Sequence, residues 1–244
     1  ITSPKPNKNE LGKYYESEDY ISHTDAKRSL FEKMYHVIKT YSLHKKVKLI
    51  HKLNKKPGLL LDIGAGTGDF LNVAKKKGWQ VKGVEPNDHA KNLAKQKGID
   101  LHLKTTDFES QSFDVITMWH VLEHVPDLDI QIKELKRLVK PNGFVLIAVP
   151  NFKSFDAKHY KSFWAAYDVP RHLWHFSKTS IQKLFKEQDL ILEKMHPMKF
   201  DSFYVSLLSE KYKNGKINFS RAFWLGLRSN SKAKQSKEYS SHIY

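Results

Sequence analysis

The stretch LLLDIGAGTGDF, residues 59–70, sets strand-forming residues around Asp62 and then places glycine at every second position, 64, 66 and 68, before a helix-like run. A backbone this bare between a strand and a helix serves one of two ends. Either a nucleotide-type ligand lies against the turn, or a tight turn lets the helix pack on a sheet.

Working outward, strand and helix patterns alternate. GLLLDIG reads as a strand, DFLNVAKKKG as a helix, QVKGVEP as a strand and DHAKNLAKQKG as a helix. IDLHL and SFDVITMW read as strands, LDIQIKELKRLVKPNG as a helix and FVLIAVPN as a strand. This alternation predicts an α/β fold, a mostly parallel sheet wound with helices on both faces. Ahead of it, a 3.6-residue period over about 26–53 puts Leu30, Met34, Val37, Ile38, Tyr41, Val47 and Ile50 on one helix face, and Pro57 and Gly58 close that section. Behind it come a polar and aromatic loop (151–178), a helix (179–188), a strand (190–198) and an aromatic-rich helical insertion (about 200–228). SNSKAKQSKE (229–238) reads as a mobile linker and YSSHIY (239–244) as a closing strand. The expected organisation is an N-terminal helical lid over 1–56 and one α/β domain over 57–244.

Composition narrows the function classes. A chain of 244 residues suits one α/β domain with additions, and 40% apolar with 12% aromatic content is globular. The longest apolar run, FVLIAV at 144–149, is far short of the ~18 residues a membrane helix needs. A soluble, cytoplasmic protein is expected, and the absence of cysteine fits a reducing compartment. The chain opens on Ile1, which leaves room for a native leader ahead of it. The formal charge of +16 invites nucleic acid as a partner, but only five of the 42 basic residues are Arg. The rest are lysines on helix-like faces such as AKKKG (74–78), and Lys lacks the planar fork that reads phosphates and bases. Solvated surface is the plainer reading, and the oligomeric state is not written in the sequence.

Gly64, Gly66 and Gly68 form G-x-G-x-G, with Asp69 where a dinucleotide fingerprint wants its third Gly or Ala. A nucleoside without a pyrophosphate suits such a loop, because no phosphate has to sit at the helix N-terminus. Glu85 ends the second strand, 21 positions after Gly64, where a carboxylate can accept both hydroxyls of a ribose. In an open parallel sheet, ligands bind beyond the carboxyl ends of the strands, so loop and Glu belong to one crevice.

LDIGAGTGDF, VKGVEPN, FDVITMWHVLEHVPDL and LKRLVKPNGFVLIAVPN resemble, in order, motifs I, II, IV and V of the class I S-adenosylmethionine-dependent methyltransferases, over residues 58–151. DVPRHLWHFS (168–177) is similar to the loop after strand five in the branch related to ubiquinone-biosynthesis O-methyltransferases. The resemblance implies a seven-stranded sheet in the order 3-2-1-4-5-7-6, the seventh strand antiparallel. It implies S-adenosylmethionine as cofactor and S-adenosylhomocysteine as product. Asp62, Gly64, Ala65, Gly66 and Gly68 would surround the methionine part, Glu85 the ribose, and Pro86 and Asn87 the adenine. The family's acidic turn after strand three is replaced here by LKTTDFES, which leaves Asp107 and Phe108 as adenine contacts. Met118, Trp119 and His120 would flank the methyl group.

HVLEH (120–124) also matches the H-x-x-E-H pattern of inverted zinc proteases. It starts at a strand end, however, where the turn points the two His apart, so no metal is expected, and Glu123 and His124 are read as capping the next helix and bracing the cofactor loop. An activated methyl donor leaves the protein to align an acceptor and exclude water, and a hydroxyl or amine acceptor also needs its proton removed. His172, His175 and His120 are the candidate bases, with Asp168 as orienting partner. Arg171 is read as holding an acidic substrate group, and the aromatic loop, Trp164 and Trp174 included, as a substrate wall. Tyr14, Tyr15, Tyr20 and His23 are read as facing cofactor or acceptor from the lid. The expected activity is methylation of a small molecule, on oxygen. RNA methylation, a nicotinamide-dependent oxidoreductase and a non-catalytic cofactor-binding module stand as alternatives.

Overall fold

The computed structural model describes residues 1–6, 14 and 30–244. The decisive stretch behaves as its pattern dictates. Leu59–Ile63 forms strand β1, with Leu60 and Leu61 fully buried, each contributing about 1.5–3 kcal/mol of apolar burial. The chain then enters helix α2 (Asp69–Lys76) and strand β2 (Gln80–Val84), which pairs in parallel with β1. Helix α3 (Asp88–Gln96) starts at Asn87, whose side chain accepts from the Ala90 amide as an N-cap. Strand β3 (Phe113–Trp119) lies parallel on the other side of β1, with Ile63 opposite Met118. Ahead of all these runs helix α1 (Leu30–Asn54), in which Val47 and Ile50 are buried.

Helix α4 (Leu128–Leu138) stops earlier than its pattern suggests, and β4 (Val139–Pro150) begins at once. Pro141 accounts for the early stop, since it lacks an amide donor and disfavours helical geometry in the residue before it. Then come α5 (Phe155–Tyr160), α6 (Lys178–Lys186), the short β5 (His196–Pro197), α7 (Asp201–Asn214), α8 (Phe219–Ser236) and β6 (Ser241–Ile243). The sheet order is β2-β1-β3-β4-β6-β5, and β6 runs antiparallel to both of its neighbours.

This is the expected order with one strand missing. IDLHL contributes a single parallel bridge, Val84 to His102, so six strands replace seven. His102 is bonded on both sides, its amide to the Gly83 carbonyl and its carbonyl to the Glu85 amide, but Leu103 already points to solvent and Thr105–Asp107 turns away. Three further expectations are corrected. Only two residues of 190–198 form strand. The presumed linker 229–238 is largely the last turns of α8, because Ser229 and Ala233 are fully buried and Ser229 Oγ donates to Asp156. Among the described side chains of the α1 apolar stripe, Val47 and Ile50 are buried, but Val37 and Tyr41 are left 68% and 47% exposed.

Two compact units are present. One comprises Gly12–Met118 and Lys133–Leu146, with α1, α2, α3, β1 and β2. The other comprises Ile1–Leu11, Trp119–Ile132 and Ile147–Tyr244, with α5 to α8 and strands β5 and β6. In the second, Tyr160, Trp164, Ala165, Val205 and Leu225 form the core. Asp156 is buried there and accepts from Trp164 Nε1 (2.8 Å), Ser229 Oγ (2.6 Å) and Ser240 Oγ (2.7 Å), tying together α5, α8 and the approach to β6.

Candidate active site

The glycine loop answers both sides of the question its sequence raises. Gly66 has φ +53°, and a Cβ built on it would meet nothing within 4 Å, so open space lies against this backbone. Gly68, φ +71°, is different: its Cβ would come within 3.0 Å of the Ala94 Cβ, so this glycine lets α2 and α3 approach. The loop is pinned by its neighbour. The Gly66 amide donates to Glu85 Oε2 at 2.8 Å and the Asn87 amide to Glu85 Oε1 at 3.0 Å. Gly64 and Ala65 donate to the Val84 carbonyl. Glu85 is buried, yet each oxygen keeps a lone pair for a further donor.

Asp62 lies 3% exposed at the base of the loop and accepts from Thr117 Oγ1 at 2.6 Å. Burial pushes its carboxyl up to about 7, with Thr117 and Lys46 acting against the rise and Glu85 adding to it. Asp69 at the start of α2 meets Lys39 and Lys97, both at 2.6 Å. Burial alone would raise its pKa, but the two lysines overcome this and hold it low. A carboxylate so held occupies the helix end where a pyrophosphate would sit.

Of the adenine candidates, Pro86 and Asn87 are exposed, and the Asn87 side chain caps α3. Asp107 Oδ2 stands 3.5 Å from His102 Nδ1, and the Phe108 ring packs on His102 and, edge-on, on Phe113. Met118 is fully buried within β3.

In the second unit the chain leaves β3 through Trp119, which is half-buried, and His120, whose φ of +58° is unusual for a residue with a side chain. Such an outlier persists only where surrounding contacts enforce it. His120 Nε2 lies 3.1 Å from Asp201 Oδ2, and Nδ1 3.4 Å from Glu123 Oε1. Burial by itself would lower the His120 pKa, but these two carboxylates raise it to about 9. Glu123 is 1% exposed, and neither of its oxygens has a closer hydrogen-bond partner among the described residues. Its burial would raise its pKa, and His120 foremost draws it down. Asp201, the first residue of α7, is the residue that the sequence reading missed. It lies 81 positions from His120 in a segment whose only local signal is an acid in a helix's first turn.

The other histidines are held by backbone. His172 is buried, its Nδ1 faces the Ala166 carbonyl at 2.9 Å, and desolvation pulls its pKa down to about 4. His175 Nε2 faces the Tyr167 carbonyl at 3.0 Å, and burial lowers its pKa as well. Asp168 is bonded to Arg171 at 2.6 Å, with its second oxygen 3.7 Å from His172 Nε2, so the Arg171 fork is engaged within the loop. Trp164 is 2% exposed with its indole donating to Asp156, which makes it core and not wall. Trp174 donates to the Val125 carbonyl and carries Lys5 over its ring. Tyr14 is exposed, while Tyr15, Tyr20 and His23 lie outside the described residues.

Glu123 and His124 sit in a short turn, Leu122–His124, and neither side chain caps α4; Asp127 Oδ1 does so by accepting from Ile130. Instead Glu123, His124 and His172 each offer a donor atom within 4.8 Å of the others. The sequence suggested no metal set, because His172 comes 48 residues after His124.

Similarity to known proteins bears on this geometry. A family described as a methyltransferase domain matches residues 32–194. A ubiquinone biosynthesis O-methyltransferase of Coxiella burnetii is 35% identical over 117 residues, 44% of this chain and 50% of that protein. The chain thus spans about half the length of the curated relatives it matches. Among solved structures, a geranyl diphosphate C-methyltransferase of Streptomyces coelicolor A3(2) is similar at a TM-score of 0.63 and 13% identity, covering 96% of this chain and 95% of that one. A magnesium protoporphyrin IX methyltransferase of Synechocystis PCC 6803 is similar at a TM-score of 0.59 and 15% identity, covering 78% and 92%. At these identities the likeness speaks for the fold.

Proposed function

The chain belongs to the methyltransferase-domain family, and from that premise we propose that it transfers the methyl group of S-adenosylmethionine to a small molecule, with a hydroxyl oxygen as acceptor. The observation that carries this reading is the buried Glu85 carboxylate, fixed between the Gly66 and Asn87 amides beside backbone that is open for a ligand. The donor set fits the cofactor. Glu85 retains lone pairs for a ribose diol, and Asp62 is a buried acid whose ionised form a cationic ligand would stabilise. The Asp69–lysine cluster argues against a pyrophosphate cofactor at the same loop. Bound there, the cofactor supplies a methyl group already activated on a sulfonium.

The chain's own residues have three tasks. Asp62, Gly64, Ala65, Gly66, Gly68 and Glu85 hold the cofactor, with Pro86, Asn87, Asp107, Phe108 and Met118 at its edges. His120, two residues past Met118 in the chain, accepts the acceptor's proton in its neutral form, on the ring nitrogen released from one of its two carboxylate partners, while the other of Asp201 and Glu123 keeps the ring oriented and stabilises the imidazolium that forms. His172 and His175 shape the loop. The ubiquinone-biosynthesis relatives support oxygen as the acceptor atom.

The test is calorimetry with S-adenosylhomocysteine, followed by incubation of labelled cofactor with phenolic and catecholic acceptors. Micromolar binding with label transfer to a hydroxyl is the expected result. Absence of cofactor binding by the wild-type chain sinks the reading.

A further inference from the structure

Asp201 at the start of α7 serves the proposed base, but the packing of the rest of α7 against α8 is an arrangement that methyl transfer does not call on. The buried face of α8 is built from small residues: Ala222, Gly226, Ser229 and Ala233 are each buried. Gly226 allows the close approach, since a Cβ there would lie 2.5 Å from Phe203 Cδ1. Ser202 Oγ donates to the Gly226 carbonyl and Asn230 Nδ2 to Ser202 Oγ, so polar bonds also fix the pair.

The opposite face holds what a helix normally buries. Phe219 and Phe223 are 54% exposed, Trp224 68% and Leu227 38%. Positions 219, 223 and 227 follow the i, i+4 spacing of one row, with Trp224 beside them. Every residue from 211 to 221 is exposed, and that turn adds Tyr212 and Ile217 to the apolar set. From Lys211 to Lys237 there are eight lysines and arginines and no acidic residue. Of these, Arg221 pairs with Glu210, and Arg228 lies over the Phe155 ring.

Exposed Trp, Phe and Leu on a strongly basic helix form the composition that enters a headgroup region, where rings sit at the apolar boundary and cations meet anionic lipid. No helix among the described residues is long and apolar enough to cross a membrane, so the contact is with a surface. We propose that the outward face of α8, with the turn that precedes it, docks the protein on an anionic lipid bilayer, inserting Phe223, Trp224 and Leu227 while the surrounding lysines bind the headgroups. An acidic protein surface would satisfy the charge but not this cluster of large rings, and a second copy of the chain would bring the same positive charge against itself.

The test uses the full chain and vesicles of phosphatidylcholine with or without phosphatidylglycerol. Co-sedimentation is expected only with phosphatidylglycerol present, weakening as salt is raised, because exposed charges are screened. Trp emission should shift to the blue on binding; of the five tryptophans Trp79 and Trp164 are buried, Trp119 and Trp174 partly buried and Trp224 68% exposed, so Trp224 is the ring placed to report it, and the shift should be lost in Trp224→Ser. The double substitution Phe223→Ser, Trp224→Ser should lower the partition coefficient about tenfold or more, and Lys211→Glu, Lys216→Glu should remove the lipid selectivity. All four side chains are exposed, so unchanged melting temperatures are expected and keep the comparison valid. Equal partition of wild type and the aromatic double variant overturns the proposal. So does selective binding of RNA in place of vesicles, or a concentration-dependent dimer that the double variant abolishes while wild type ignores lipid.

Discussion

His120 Nε2 and Asp201 Oδ2 stand 3.1 Å apart, joining the residue after β3 to the first residue of α7. With Glu123 on the other ring nitrogen, the imidazole is clamped between two acids, and the proton it carries is held up to about pH 9.

A base so clamped must first lose its proton, so turnover on the true acceptor should climb with pH until about 9 rather than level off near neutrality. His120→Ala should reduce kcat by ~10²-fold or more with little change in cofactor affinity. Asp201→Asn should move the midpoint of the pH–rate profile toward the ordinary histidine value. A profile that stays put in Asp201→Asn refutes the clamp.

Stability should follow the same proton. The folded state keeps on His120 a proton that the unfolded chain releases near 6.5, so this contribution is complete below that pH and is lost as pH rises through about 9. His172 works in the opposite sense. Its proton is refused in the fold down to about 4, so stability falls as pH drops from about 6.5 toward 4. Denaturant titrations from pH 4 to 10 should show both slopes, the alkaline one flattened in His120→Asn.

Glu85→Ala should weaken S-adenosylhomocysteine binding by about 1.5–3 kcal/mol, through lost charge-assisted hydrogen bonds to the ligand and a loop no longer tied at Gly66. Gly66→Val should abolish binding, since its Cβ would enter the open space at a left-handed φ of +53°. Calorimetry decides both; tight binding by Gly66→Val would mean the ligand lies elsewhere.

Asp62 carries a pKa of about 7, so cofactor affinity should rise as pH is taken from 6 to 8. The cationic ligand favours the ionised acid, and the gain should vanish in Asp62→Asn. Identical slopes in wild type and variant would remove Asp62 from the linkage.

Asp156→Ala should destabilise the protein by about 3 kcal/mol or more, because it strands the Trp164, Ser229 and Ser240 donors in a buried site. Chemical denaturation measures this directly, and cofactor binding should survive wherever the fold does.

Much of this molecule can be read from local pattern. The alternation of elements, the glycine loop, Glu85 just after β2 and the closing strand all depend on residues close in sequence: period, turn chemistry and a spacing of about twenty; the antiparallel direction of that last strand comes only with the family resemblance. The misreadings share a cause. SNSKAKQSKE looks like a linker by composition, yet it is helix because Ser229 and Ala233 have a buried partner face, and hydrogen bonding to Asp156 offsets the weak propensity of serine. IDLHL has strand pattern, yet only His102 finds a neighbour.

Local order along the chain supplies the residue types and their succession: a strand, three glycines, a spaced acid, and His120 directly after β3. Tertiary structure alone decided what each histidine is. His120, His172 and His175 are equivalent imidazoles in the sequence. One is held near 9 by two carboxylates, one from a helix 81 positions away, and another is drawn to about 4 by burial against a backbone carbonyl. A proton affinity is set by the charges and solvent within a few ångströms, and those neighbours are chosen by the fold.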